Sequence, residues 1–177
     1  MLKSGLNNSW ATPIYKTSIT QDECTSLLNE IMKTENIVKP QSDFSDGSLT
    51  DRIPLLKTLA DIKYTEFFKE ALEMDLNDFE YDFKSWLTGS TNGYNMDFHN
   101  HSGAQFAAVF YLLAEEKDQG GELVIHDPRN NANRGFGSRL QHLFNPIEYI
   151  PTSGDVIIMP GYVYHSVRQF HSSLRLA

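Results

Sequence analysis

The sequence predicts an α+β protein, a β sandwich or barrel with N-terminal helices packed on one sheet. Up to residue 82, apolar residues recur at the spacing of helix faces. From Phe83 onward, short runs rich in Val, Ile, Tyr and Phe alternate with Gly, Pro and Asn. Many short strands at that interval are the pattern of a sandwich or barrel. No repeat or linker divides the chain, so 1–177 reads as one domain, with helical support over 1–82 and a β core over 83–177.

Each element follows from its residues. Ser9–Ser18 carries Ile14 and Tyr15 after a proline and suits an edge strand. Thr20 and Glu23 make a capping box, in which the hydroxyl and the carboxylate each satisfy an amide at the helix start. Cys24, Leu27, Leu28, Ile31 and Met32 then mark one helix face. Asp43–Asp51 is a polar, turn-rich loop. A second helix carries Leu55, Leu56, Leu59, Ile62, Tyr64, Phe67, Phe68 and Leu72, and an acidic loop from Glu73 to Asp82 leaves it. Strands are predicted near 83–88, 94–100, 105–114, 122–126, 140–144, 147–150, 155–159, 163–169 and 172–176, with a long polar loop over Arg129–Ser138.

Composition excludes some functions. The net charge is −8 with no Lys/Arg cluster, which disfavours a nucleic-acid surface. One cysteine, Cys24, permits neither an intrachain disulfide nor a thiolate-rich zinc site; it reads as a small buried hydrophobe in a reducing, cytoplasmic protein. The first residues are too polar for a signal peptide, and no run approaches the roughly 20 apolar residues of a membrane span.

The chemistry concentrates in histidines. His99 and His101 are two apart in a predicted strand, so their side chains share a side. His165 lies on a later predicted strand and could complete a facial metal site. Asp97, two residues before His99, is the alternative to His101 as the third ligand. His126, His142 and His171 read individually as core or surface residues. Arg175 lies ten residues beyond His165, where a hairpin would return it beside that histidine. A buried arginine there calls for a carboxylate, from an acidic co-substrate or from a protein side chain.

The ordered set H-x-H, FYLL, GGELVIHDPR, PTSGDVIIMPGYVYHSV and a terminal Arg resembles the Fe(II)/2-oxoglutarate-dependent oxygenases, in particular a prolyl-hydroxylase-like branch. The resemblance covers about residues 83–176, with a weaker match at WATPIYKTSI. It implies a double-stranded β-helix, or jelly roll, with iron at one mouth. His99 and His165 would be iron ligands, with His101 where the superfamily usually has a carboxylate. Arg175 and Tyr111 would bind the distal carboxylate of 2-oxoglutarate. Gly120-Gly121 would make the turn before the next strand. Arg129, in Asp127-Pro128-Arg129 near the mouth, and Asn100, between the two histidines, are the candidate substrate contacts. The implied reaction consumes dioxygen and 2-oxoglutarate, gives succinate and carbon dioxide, and hydroxylates a C–H bond of a small molecule or of a peptide such as peptidyl-proline. Two other readings stand beside it: a cupin-like three-His metalloenzyme that does not use 2-oxoglutarate, and a non-catalytic jelly-roll binding module.

Overall fold

The computed structural model describes residues 11–34, 47–114, 119–129 and 145–177. The predicted strand at 140–144, most of the 129–138 loop, and the starts of the leading strand and of the 43–51 loop lie outside them.

The chain starts with β1 (Tyr15–Ser18) and enters α1 (Gln21–Thr34) through the capping box. The Thr20 amide donates to Glu23 Oε2 at 2.7 Å, and the Glu23 amide donates to Thr20 Oγ1 at 3.2 Å. A short α2 (Leu49–Arg52) precedes α3 (Pro54–Ala71), whose first position is a proline that needs no amide partner there. A 3-10 turn at Leu76–Asp78 closes the helical part.

Among the described residues the strands form three antiparallel sheets. The first orders β1, β7 (Asp155–Pro160) and β4 (Phe106–Phe110). The second orders β3 (Met96–His99), β8 (His165–Val167), β5 (Leu123–Ile125) and β6 (Ile147–Tyr149). The third pairs β2 (Gly89–Ser90) with β9 (Arg175–Leu176).

Strand β7 is buried along its whole length because both its faces are covered. Val156 and Ile158 join a core with Cys24, Leu27 and Ile31 of α1 and Leu59, Phe67 and Phe68 of α3. Ile157 and Met159 join a second core with Leu123 and Ile125 of the four-stranded sheet. The strand's alternation therefore separates a helix-facing layer from a sheet-facing one. Phe67 and Phe68 meet Phe106 edge-on at 5.0 and 5.5 Å between centroids, fixing α3 against β4. Cys24 is buried, its thiol donates to the Leu112 carbonyl at 3.3 Å, and burial pushes its pKa up.

Several predicted strands differ. Residues 83–88 form no ladder strand. Ser85 bonds backwards instead: its amide donates to Gly47, its carbonyl accepts from Leu49, and its hydroxyl accepts from the Thr50 amide. Pairing starts at Thr88, which exchanges both backbone hydrogen bonds with Ala177, and continues into β2 from Gly89. The strand predicted over 105–114 ends at Phe110, because the chain changes sheet there. Tyr111 still bonds to β7 through Asp155, while Leu112 and Leu113 donate to Leu176 of β9. The predicted 43–51 loop gives way to α2 from Leu49.

Candidate metal centre and anion pocket

His99 ends β3 and His165 begins β8, and the two are register partners. Ile125 of β5 faces His165 from the other side. His101 lies beyond the end of β3, not on the same strand face as His99. A tight turn brings it back. The His101 amide donates to the Gly161 carbonyl at 2.9 Å, and the His101 carbonyl accepts from Ala104 at 3.1 Å. Any side chain at Gly161 would collide with the Ala104 carbonyl and crowd that of His101, so only glycine admits this turn.

The three rings form a compact triangle. Centroid separations are 4.3 Å for His99–His165, 5.0 Å for His101–His165 and 5.5 Å for His99–His101. One ligand atom from each lies within 4.8 Å of the others. At bond lengths near 2.1 Å, three nitrogens on one face of an ion sit about 3.0–3.4 Å apart. Drawing each ligand atom inward by about 1 Å closes this triangle on an ion. Among the described residues this is the one such group, and the Asp97 carboxylate is not in it. Asp97 is exposed, and its side chain accepts from Asn95 at 3.3 Å.

Two of the rings have their tautomer set by backbone. His99 Nδ1 lies 2.7 Å from the Asp97 carbonyl and His165 Nδ1 lies 3.0 Å from the Val163 carbonyl. A carbonyl only accepts, so each Nδ1 carries the hydrogen and each Nε2 keeps its lone pair. Burial, helped by the neighbouring imidazoles, lowers the His165 pKa to about 4. Burial first, then His99, lowers that of His101. Both imidazoles are thereby held neutral, the form that binds metal. His101 packs at 5.8 Å against the ring of Trp86, which is 39% exposed. Sequence reasoning missed Trp86, since its contact depends on the His101 turn.

Arg175 is only 4% exposed. Its Nη1 donates to the Gly121 carbonyl, its guanidinium lies 5.1 Å from the Phe170 ring centroid, and its Nε has no hydrogen-bond partner among the described residues. Gly121 has φ +74°, and a Cβ there would strike the guanidinium, so glycine is required on both counts. Burial lowers the Arg175 pKa, opposed by the nearby Tyr111, Tyr94 and Glu122. Among the described residues no carboxylate forms an ion pair with it. The protein-acid reading of Arg175 is thus unsupported by the geometry. Tyr111 is 3% exposed, its phenol is pushed up strongly by burial, and Arg175 acts on it electrostatically. Tyr111 is located by β7: its amide donates to the Asp155 carbonyl at 2.9 Å, and its carbonyl accepts from Gly154 at 2.7 Å.

The two groups lie on different sheets, Arg175 on β9 and the histidines at β3 and β8, and are joined through the segment that leads into β5. Ile125 faces His165, and Gly121, which holds Arg175, lies four residues back along the same segment. At the rise of an extended chain that is about 13 Å between backbone positions. The apolar side chains of Leu123, Met159 and Val163 belong to the core beside Tyr111.

Arg129 is turned onto Asp127, with Nε at 2.9 Å from Oδ1 and Nη2 at 2.5 Å from Oδ2. Both residues rim a pocket of about 330 Å³ that also includes Ile125, His126 and Val163. The pocket therefore abuts the segment that orients His165. Asn100 is half-buried between the two histidines.

No helix among the described residues is long and apolar enough to cross a membrane. No curated protein matches the chain by sequence. Solved structures do resemble it. A prolyl-4-hydroxylase from Pseudomonas putida is 16% identical, covering 96% of this chain and 86% of that one, with a TM-score of 0.60. A prolyl hydroxylase from Trichoplax adhaerens, in complex with a hypoxia inducible factor oxygen degradation domain peptide fragment, is 12% identical over 96% and 82%, with a TM-score of 0.61. An oxidoreductase of the 2OG-Fe(II) oxygenase family from Burkholderia pseudomallei is 21% identical over 72% of this chain, with a TM-score of 0.51; the chain spans 55% of that protein's length. At these identities the likeness is one of fold. A family model described as "Putative 2OG-Fe(II) oxygenase" matches residues 84–176, more than half of the chain and the segment that carries His99, His101, Tyr111, His165 and Arg175, and by that match the chain belongs to the 2OG-Fe(II) oxygenase family.

Proposed function

We propose that the chain is an Fe(II)- and 2-oxoglutarate-dependent hydroxylase whose β core is a jelly roll, folded with its helices as one domain. His99, His101 and His165 hold the iron; Arg175 and Tyr111 hold the distal carboxylate of 2-oxoglutarate. The observation that carries this reading is the pairing of a histidine triangle with a buried guanidinium that has no acid partner among the described residues. The donor set fits a divalent ion, since two of the three Nε2 lone pairs are fixed by backbone carbonyls. The orphaned Arg175 Nε fits a carboxylate, because burying an unpaired cation is costly and a charge-assisted pair relieves that cost.

When bound, the iron and 2-oxoglutarate supply the oxidation of a C–H bond by dioxygen, with succinate and carbon dioxide as co-products. The chain's own residues do the rest. His99 and His165 present preset lone pairs from adjacent strands. Arg175, with Tyr111 acting on it electrostatically, would hold the distal carboxylate of the co-substrate. Leu123, Met159 and Val163 keep water from the space between. The pocket edged by Asp127 and Arg129 is the entry for substrate, and Asn100, half-buried between His99 and His101, is a second candidate contact. Its size suits one residue of a peptide or a small molecule, and the peptide bound to the Trichoplax relative supports a peptidyl substrate. The reduced, buried Cys24 fits a cytoplasmic setting.

Succinate formation from 2-oxoglutarate that requires iron, and is lost in Arg175→Ala, is the expected result. His101 favours one other reading, a cupin-like three-His centre without 2-oxoglutarate. Iron binding without any 2-oxoglutarate binding by calorimetry would establish that alternative.

A further inference from the structure

We propose that Phe98, Tyr164 and His126 form an aromatic clamp on the outer face of the four-stranded sheet, and that this clamp sets the spacing of the metal-binding histidines on its inner face. The inference rests on the metal assignment above. Phe98 immediately precedes His99, and Tyr164 immediately precedes His165. Neighbours along a strand point to opposite faces, so the two rings back the two ligands.

The rings are stacked, with centroids 4.5 Å apart and planes 7° from parallel. The His126 ring meets Phe98 edge-on at 4.8 Å. His126 follows Ile125, the β5 partner of His165, and its amide donates to the Tyr164 carbonyl at 2.9 Å. One aromatic group therefore ties β3, β8 and the end of β5 together at the position of the ligands.

The backbone ladder does not do this alone. Pairing of β3 with β8 is regular at Met96–Val167 and at His99–His165, but the register shifts between those pairs. At such an irregularity ladder bonds are lost and the strand is free to bend. Phe98 lies within that gap, and its stack on Tyr164 ties it to the residue beside His165. Phe98 and Tyr164 are 57% and 41% exposed, so they contribute little as core residues. Their geometry accounts for their presence better than their burial does. They act as positioning residues, reaching the metal only through His99 and His165.

Titration of the full-length chain with Co(II), followed by its visible d–d absorption, tests this. Phe98→Ala and Tyr164→Val are expected to weaken Co(II) binding about tenfold, the scale on which outer-shell partners act. They should also change the absorption envelope while leaving the melting temperature of the metal-free protein within a few degrees. Phe98→Tyr, which keeps the stack, should restore both affinity and spectrum. Unchanged affinity and spectrum in Phe98→Ala and Tyr164→Val would overturn the clamp while leaving the metal assignment intact, as would an equal loss in Phe98→Tyr. Failure of the unaltered chain to bind Co(II) would instead bring down the metal assignment and the clamp with it.

Discussion

The histidine triangle and the Arg175 pocket belong to different sheets and treat their polar atoms in opposite ways. At the histidine end, both pinned rings have a satisfied Nδ1 and a free lone pair. Neutral imidazoles are tolerably buried, and burial itself keeps His165 neutral. At the arginine end, a full charge is buried with one carbonyl, one aromatic ring and an orphaned Nε. The first end is complete without its ligand, whereas the second carries a deficit that a ligand relieves. The free protein should therefore tolerate loss of Arg175 better than its co-substrate site does.

The largest expected effect is at the histidine end. His165→Ala should lower Co(II) or Fe(II) affinity by at least about a hundredfold, since a lost ligand exceeds the 10–100-fold scale of outer-shell partners. Calorimetric titration decides it, and metal affinity within a few-fold of the parent would break the proposed ligand set. Arg175→Met comes next. It should weaken 2-oxoglutarate binding to the metal-loaded protein about a hundredfold, the equivalent of roughly 3 kcal/mol of charge-assisted hydrogen bonds. The same variant should leave metal-free stability unchanged or raised, because it removes an unsatisfied buried charge. A fall of several kcal/mol in chemical denaturation would show that the arginine is structural and that no deficit exists.

Some of this was legible in the residues. Thr20 and Glu23 announced α1 because a capping box is local chemistry, and the spacing of Cys24, Leu27 and Ile31 marked its buried face. The convergence of His99, His101 and His165 was legible as residue types at a spacing. The route was not: His101 arrives by a turn packed on Gly161, not by strand alternation. The strand predicted at 83–88 failed because Ser85 has a nonlocal partner in the 47–50 segment, which no periodicity reveals. Tyr111 lies where the chain leaves β4 for β9, a change of sheet that a continuous apolar run conceals.

Acid titration separates the histidine end from its supports. The His165 pKa falls from an ordinary 6.5 to about 4 on folding, so the unfolded chain binds the proton first. Stability of the metal-free protein is then full above about pH 6.5 and falls as pH drops toward 4, by about 2–3 kcal/mol. Denaturation of the parent and of His165→Gln at pH 7 and pH 4.5 should show that slope in the parent and a reduced slope in the variant. Equal slopes would mean that His165 is not held neutral by burial.

A smaller effect belongs to Asp155, beneath the arginine end. Its Oδ2 accepts from Tyr149 Oη at 2.5 Å, from the Thr152 amide at 2.7 Å and from Thr152 Oγ1 at 2.7 Å, and Lys16 Nζ lies 3.3 Å from Oδ1. Burial opposes ionisation, but these donors and Lys16 together hold the carboxyl below its ordinary value. The sign follows from that direction: the contribution is present above the unfolded pKa, near 3.8, and is lost as pH falls through the folded one. Asp155→Asn turns an amide NH₂ toward groups that all donate, and should cost about 1–2 kcal/mol at pH 7. That cost should shrink as pH falls through the folded pKa, where the aspartate is protonated as well. Because the Asp155 carbonyl locates Tyr111, the variant should also weaken 2-oxoglutarate binding a few-fold while leaving Co(II) affinity unchanged. Equal losses at both sites would mean that the two ends are one mechanical unit, and the division between them would fall.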